Sequence, residues 1–272
     1  MLTARAPAKI NLALHVRARR TDGYHELESW FYFLDLCDYL QVSDSDDLSL
    51  ICTGPFGARP ELAGDNLVLR AARLLQETAG LKYGAALRLE KHIPLAAGLG
   101  GGSADAAATL RLLNRFWGLD WALEALLPLA AQLGADVPAC LYATPQLGRG
   151  RGELLAPIAH PLASGTPLLL VNPNVPLPTA QVFAAWDGVD RGPLQDLDNS
   201  RNDLEAPAMA LLPLVGDVLA ALRAQAGAGL VRMSGSGATC FARFQNSADR
   251  DAAARSLAQA RPDWWVYPTN IA

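Results

Sequence analysis

The sequence predicts an α+β protein of two domains, residues 1–155 and 156–272. Three observations carry that reading. In the first domain a strand pattern runs into a glycine-rich turn and then directly into an Ala- and Leu-rich helix, over residues 85–117. In the second, the order strand, helices, strand, strand, helix, strand is that of a ferredoxin-like split βαβ domain with an extra helix inserted. A chain of 272 residues with 51% hydrophobic and 18% charged composition can also bury one large core or two smaller ones, and it lacks the low hydropathy of disorder.

Taken in order, KINLALHV alternates from Lys9 to Val16, the polar turn RRTDGYHE follows, and SWFYFLDLCDYLQVS is rich in residues of high β propensity. These read as an antiparallel hairpin. In NLVLRAARLLQETAG, Leu67, Ala71, Leu74 and Leu75 fall at helical spacing, with Asp65 as the predicted N-cap and Gly80 just past the end. AALRLEKHIP reads as a strand closed by Pro94, and SADAAATLRLLNRFW as the helix beyond the glycines. DWALEALLPLAAQLG predicts a further helix, capped by Asp120, stopped by Gly134, and kinked or divided at Pro128. GADVPACLYA begins another element. After a Gly-, Arg- and Pro-rich passage near residues 145–167 come strand TPLLLVNP, helix PTAQVFAAW and a long helical region from about Asp203 to Gln225. Strands GLVRMS and ATCFARF, helix SADRDAAARSLAQA and strand WWVYP complete the chain.

A net charge of −4 and a pI near 5.6 argue against a surface dedicated to nucleic acid or anionic lipid, so any phosphate binding must be local. No stretch reaches the roughly 20 apolar residues of a membrane span, and the N-terminal residues lack a signal-peptide h-region. No membrane partner and a cytoplasmic location are the expectations. Cys37, Cys52, Cys140 and Cys240 lie at wide, irregular spacings and read as reduced thiols.

The strongest functional signal is PLAAGLGGGSADAA, Pro94 to Ala107. Gly98, Gly100, Gly101 and Gly102 remove side chains where a backbone has to wrap a guest closely. Ser103 follows at a helix N-terminus, where unpaired N–H groups and the helix dipole favour an anion. A phosphate chain is the natural guest, and the Ser103 hydroxyl can reach phosphate or a bound Mg²⁺. The P-loop pattern fails for want of a Lys-Ser or Lys-Thr pair, and the dinucleotide fingerprint fails at Ser103, where it needs Gly; that disfavours a redox enzyme. A flexible linker is the bland alternative, but linkers do not flow directly into an amphipathic helix.

This loop resembles the second motif of the GHMP kinases (galactokinase, homoserine kinase, mevalonate kinase and phosphomevalonate kinase), whose glycine loop binds ATP phosphates. APAKINLALHV, residues 6–16, resembles their first motif, and RMSGSGATCFARF, residues 232–244, their third. PAKINL, DGYHELES, DNLV, GLGGGSADAA, GADVP and SGSGATCF together are similar to the branch acting on cytidine diphosphate-linked methylerythritol. The resemblance implies a two-domain GHMP kinase fold with a left-handed βαβ-type nucleotide site in the N-terminal domain. It implies transfer of phosphate from ATP, with Mg²⁺, to the 2-hydroxyl of that small molecule, by a monomer or weak homodimer. It places the nucleotide on Pro94, Leu95, Ala96, Ala97, Gly98, Leu99, Gly100, Gly101, Gly102, Ser103 and Ala104, with Lys91 and Asn66 as further contacts and Ser103 as the metal ligand. Ala104 departs from the family loop, which more often has a second Ser, and Asp105 is left open between helix support and the metal shell.

Phosphoryl transfer asks for a positioned hydroxyl and neutralised charge. By resemblance, Asp136 in GADVP orients the hydroxyl and takes its proton, with Lys9 of PAKINL beside it. On capping preference alone Asp136 would be the N-cap of a helix opening at Val137-Pro138. Tyr24 and His25 follow the turn pair Asp22-Gly23, which would project both from a loop tip, Tyr24 to stack on a cytosine face and His25 to bond its edge. Phe183 resembles the second aromatic wall, and Asn11 a further substrate contact. An aromatic hairpin flank packed on the neighbouring domain is the alternative for Tyr24 and His25. Arg17, Arg19 and Arg20 read as a solvated strand face. Two rivals remain: a sibling GHMP kinase, against which DGYHE counts, and a non-catalytic ATP sensor, against which Lys9 and Asp136 count.

Overall fold

A computed structural model describes residues 2–59, 66–159, 161–197 and 199–272. The chain forms two compact units. The first comprises Met1–Lys9, Leu36–Leu95 and Gly100–Thr144, the second Ile10–Asp35, Ala96–Leu99 and Pro145–Ala272. The predicted hairpin is β1 (Leu2–Arg19) paired with β2 (His25–Ser43), two long strands that contribute residues to both units.

In the first unit β3 (Leu48–Thr53) leads through α1 (Leu67–Thr78) to β4 (Ala85–Glu90), which lies parallel to β3 and antiparallel to β2. Parallel neighbours joined by a helix make β3–α1–β4 a βαβ unit. β3 was not anticipated: LSLICT is short and has no fully buried residue. Helix α1 buries Val68, Ala71, Ala72 and Leu75, an i, i+3, i+4, i+7 stripe. Its N-cap is Asn66, whose side chain accepts from the Val68 N–H at 2.9 Å. Asp65, the predicted cap, lies outside the described residues.

Beyond the glycine loop come α2 (Gly101–Phe116), α3 (Leu123–Leu133) and α4 (Val137–Tyr142). Two expectations for α3 are corrected. Its N-cap is Ala122, not Asp120, and the helix runs undivided through Pro128. Pro128 and Glu124, whose carbonyl loses its helical donor, are both exposed, so no buried acceptor is orphaned.

In the second unit β5 (Gln146–Arg149) pairs with β2 and with β6 (Leu154–Pro157), both strands hidden in the sequence by the Gly- and Arg-rich passage. A four-stranded antiparallel sheet follows, built of β7 (Pro167–Asn172), β8 (Ala228–Met233), β9 (Cys240–Phe244) and β10 (Trp265–Asn270) in the order β10-β7-β9-β8. That order, fourth, first, third, second, is the ferredoxin-like split βαβ arrangement. Helix α8 (Ser247–Ala260) joins β9 to β10, while α5 (Thr179–Ala184), α6 (Glu205–Leu211) and α7 (Leu214–Arg223) lie between β7 and β8. The long helical region expected from about Asp203 to Gln225 is two helices. Leu212 is extended at φ −138°, ψ 90°, as a residue before proline prefers, and Pro213 restarts the helix. Leu169, Val171, Val182, Trp186, Leu222 and Phe244 are among the buried residues of this unit's core.

Candidate active site

Strand β4 stops at Glu90, four residues before Pro94, and helix α2 begins at Gly101, two residues earlier than the sequence suggested. The N-cap of α2 is Gly100, left-handed at φ 65°, and no side chain caps the helix. First-turn N–H groups thus lack a side-chain acceptor, the local condition under which a phosphate is a good guest. Ser103 stands in that turn, half-buried. A Cβ on Gly100 would lie 2.7 Å from Cγ of Lys9, so this glycine admits the lysine stem as well as the turn. Among the described residues no three His, Cys, Asp or Glu side chains cluster as a metal cage. The lone Ser103 hydroxyl nevertheless suits Mg²⁺, which keeps several waters and takes few protein ligands beside substrate phosphates.

In the second unit, the loop residues Ala96–Leu99 press on the third motif. Gly98 has φ 76°, and a Cβ there would lie 2.7 Å from the carbonyl oxygens of both Gly237 and Ser234. Thr239 N–H donates to the Ala97 carbonyl at 3.3 Å. The Ser234 hydroxyl donates to the Gly98 carbonyl at 3.1 Å and accepts the Asn11 N–H at 3.2 Å, so residues of all three motifs meet at one buried serine. Asn202 donates to the Met233 and Gly235 carbonyls at 2.8 and 2.7 Å and holds that turn. Asn11 itself is 3% exposed, and its side chain donates to Ser29 Oγ at 2.7 Å.

In the first unit Lys9 Nζ lies 3.1 Å from Asp136 Oδ2, with the two side chains 5% and 35% exposed. Asp136 does occupy the N-cap position of α4, but with helical φ −85°, ψ −15° and no side-chain capping bond. The carboxylate serves Lys9, not the helix. Three other predicted residues have protein partners. Asn66 caps α1. Lys91, 1% exposed, is paired with both Asp38 and Asp105, the latter at 2.6 Å. Asp38 also accepts the N–H groups of His92 and Ile93, at 2.5 and 2.8 Å, just before the loop. Burial pushes the Asp105 carboxyl up to about 8 against the pull of Lys91, and the neighbouring Asp38 charge raises it further. Asp105 is thus part of a closed ion cluster.

Tyr24 does project, 51% exposed, with the Arg151 guanidinium 4.8 Å from its ring centroid. His25 does not share that tip. It begins β2, half-buried, with its ring 5.1 Å from Phe183 and 5.7 Å edge-on to Trp186. The shared turn predicted one exposure for both, but strand pairing turns adjacent side chains to opposite faces. Burial, and then the Arg19 cation, lower the His25 pKa, so the ring is neutral at pH 7; its Nε2 is buried with no hydrogen-bond partner. The arginines are not merely solvated. Arg17 pairs with Glu28 and Asp190, and Arg20 with Asp22 and Glu26.

Residues 66–144 match the family model of the GHMP kinases N terminal domain, and residues 190–263 that of the GHMP kinases C terminal domain. A relative from Rhizorhabdus wittichii, named 4-diphosphocytidyl-2-C-methyl-D-erythritol kinase, is 55% identical, the alignment covering 98% of this chain and 93% of that protein. The chain belongs to the GHMP kinases. A crystal structure of 4-(cytidine 5'-diphospho)-2C-methyl-D-erythritol kinase superposes with a TM-score of 0.83 at 36% identity, covering 100% of both chains. The homoserine kinase of Cytophaga hutchinsonii, at 21% identity and TM-score 0.74 over 99% of this chain and 94% of that one, shares the fold. This GHMP kinase is an ATP-dependent small-molecule kinase, and no helix among the described residues is long and apolar enough to cross a membrane. Sequence reasoning recognised the third motif but named no residue in it; its hydroxyl residues Ser234, Ser236 and Thr239, in and after the glycine turn, were the available signal. Trp186 carried no such mark.

Proposed function

We propose that this kinase transfers the γ-phosphoryl group of ATP to the 2-hydroxyl of 4-diphosphocytidyl-2-C-methyl-D-erythritol, giving the 2-phosphate and ADP in the non-mevalonate route to isoprenoid precursors. The observation that carries the substrate is His25: a neutral imidazole, seated against Phe183 and Trp186, with a buried nitrogen that has no protein partner. Such a ring suits the polar edge of a base and not a small aliphatic alcohol. The 55% identical relative bears the name of that activity.

The N–H groups of Gly101, Gly102 and Ser103 receive ATP phosphates, and the Ser103 hydroxyl holds Mg²⁺. The ion supplies charge neutralisation on the phosphates. Asp136 orients the acceptor hydroxyl and takes its proton onto a carboxylate oxygen, while Lys9 holds that carboxylate and offers positive charge to the transferring group. The two family matches, residues 66–144 and 190–263, fall on either side of the proposed division at 155/156.

Incubation with ATP, Mg²⁺ and a panel of alcohols, read by product mass, tests the reading. Phosphorylation of the cytidine compound in preference to homoserine and mevalonate is expected, and preference for either of those overturns it. Base stacking is worth on the order of 1–3 kcal/mol, so Tyr24→Ala should lower kcat/KM for the cytidine substrate roughly ten- to a hundredfold with little change in the KM for ATP.

A further inference from the structure

The second unit ties the arginine that ends β1 to the helix that carries Phe183. Helix α5 is six residues long and no side chain caps its N-terminus, so its own hydrogen bonds hold it weakly. At the other end the Arg19 guanidinium donates to the carbonyls of Trp186 and Ala184 at 2.6 and 3.2 Å. A cation on the last carbonyls of a helix is favourable because those oxygens carry the negative end of its dipole. The same guanidinium carbon lies 6.0 Å from the Trp186 ring centroid. Trp186 is 2% exposed, stands edge-on to His25, and has no hydrogen-bond partner for its own buried Nε1.

We infer that Arg19 is a positioning residue for base recognition: by closing the C-terminal end of α5 it fixes Phe183 and Trp186, and through their rings the plane and direction of His25. It touches no reacting atom, and a planar fork reaching two carbonyls does what a point charge does less well. The inference rests on the reading that His25 meets the base.

The test compares Arg19→Met, which keeps an apolar stem and removes the fork, with Arg19→Lys and His25→Ala in the full chain. A cation at a helix end has a modest effect, so Arg19→Met should raise the KM for the cytidine substrate about three- to tenfold, with kcat within about twofold and the KM for ATP unchanged. Arg19→Lys should lie between Arg19→Met and the parent. In the protein without substrate, the ring-proton resonances of His25 should move in Arg19→Met, because the Trp186 ring current they feel has shifted. An unchanged cytidine KM in Arg19→Met, alongside a raised one in His25→Ala, overturns the inference and leaves the base reading standing. An unchanged cytidine KM in His25→Ala removes the base reading and the inference with it. Equal losses in both KM values and kcat, with a lowered melting temperature, would reduce Arg19 to general stability and also overturn it.

Discussion

Lys9 and Lys91 both stand in the first unit with an aspartate at hydrogen-bond distance, yet their surroundings differ. The Asp136 carboxylate beside Lys9 keeps 35% of its side chain exposed, whereas Asp38 and Asp105 around Lys91 keep 0% and 4%. The open pair has a face left for a substrate hydroxyl. In the closed cluster Lys91 is held by both carboxylates and Asp38 also by the His92 and Ile93 N–H groups, while Asp105 Oδ1 stays buried without a hydrogen-bond partner; the cluster ties the strand exit before the glycine loop to the helix entry after it. Identical residue types thus divide into chemistry and scaffolding according to solvent access. Charge pairs near a surface contribute little to stability, while breaking a buried one leaves an uncompensated charge in a dry interior.

The largest expected effect is on the open pair. Asp136→Asn should lower kcat by roughly 10²- to 10⁴-fold, the usual worth of a general base, with ATP affinity within a few fold and an almost unchanged melting temperature. Steady-state kinetics with a calorimetric scan checks it; undiminished kcat would remove Asp136 from the mechanism. Lys91→Met should act the other way, leaving the buried Asp38 carboxylate without its cation beside Asp105 and costing about 3–5 kcal/mol of stability in urea unfolding. A variant as stable as the parent would show that the cluster is not the scaffold it is taken for here. Lys9→Met separates the two roles on a smaller scale: reduced kcat with stability within about 1 kcal/mol of the parent, since the pair is partly exposed.

The smallest effect concerns Asp105. Its folded pKa, raised by burial to about 8, exceeds that of an ordinary carboxylate near 4. The native state therefore keeps a proton that the unfolded chain releases. Stability from this group is complete below about pH 4 and is lost as pH rises towards 8. Asp105→Asn cannot ionise, so its stability relative to the parent should improve between pH 5 and pH 8. Parallel urea titrations at those two values would detect the change, and a difference independent of pH would show that Asp105 does not titrate in that window.

Much of the fold was legible because its signals are local. Helix α1, whose expected stripe of Leu67, Ala71, Leu74 and Leu75 shares Ala71 and Leu75 with the buried face, the run of α8 from Ser247 to Ala260, and the glycines before α2 follow from helical period, capping and φ preference. β3, β5 and β6 were not, since strands of 4 to 6 residues gain their stability from partners distant in the chain. In the site, the ion pair of Lys9 with Asp136 was read through the family resemblance, while the capping rule pointed to the wrong use of the carboxylate. The seat of His25 was misread because a turn pair describes the backbone and not what packs on the next side chain.

By itself the sequence determined the longer helices and strands, the glycine loop leading into a helix, and three motifs sufficient to recognise the family. Each depends on residues close together in the chain, or on residue types that tolerate few conformations. Only the tertiary structure decided that Lys91 is sealed between Asp38 and Asp105 while Asp136 stays open beside Lys9, and that His25 rests on Phe183 and Trp186. Burial, and with it the effective strength of every charge and hydrogen bond, is set by what long-range packing brings around a side chain.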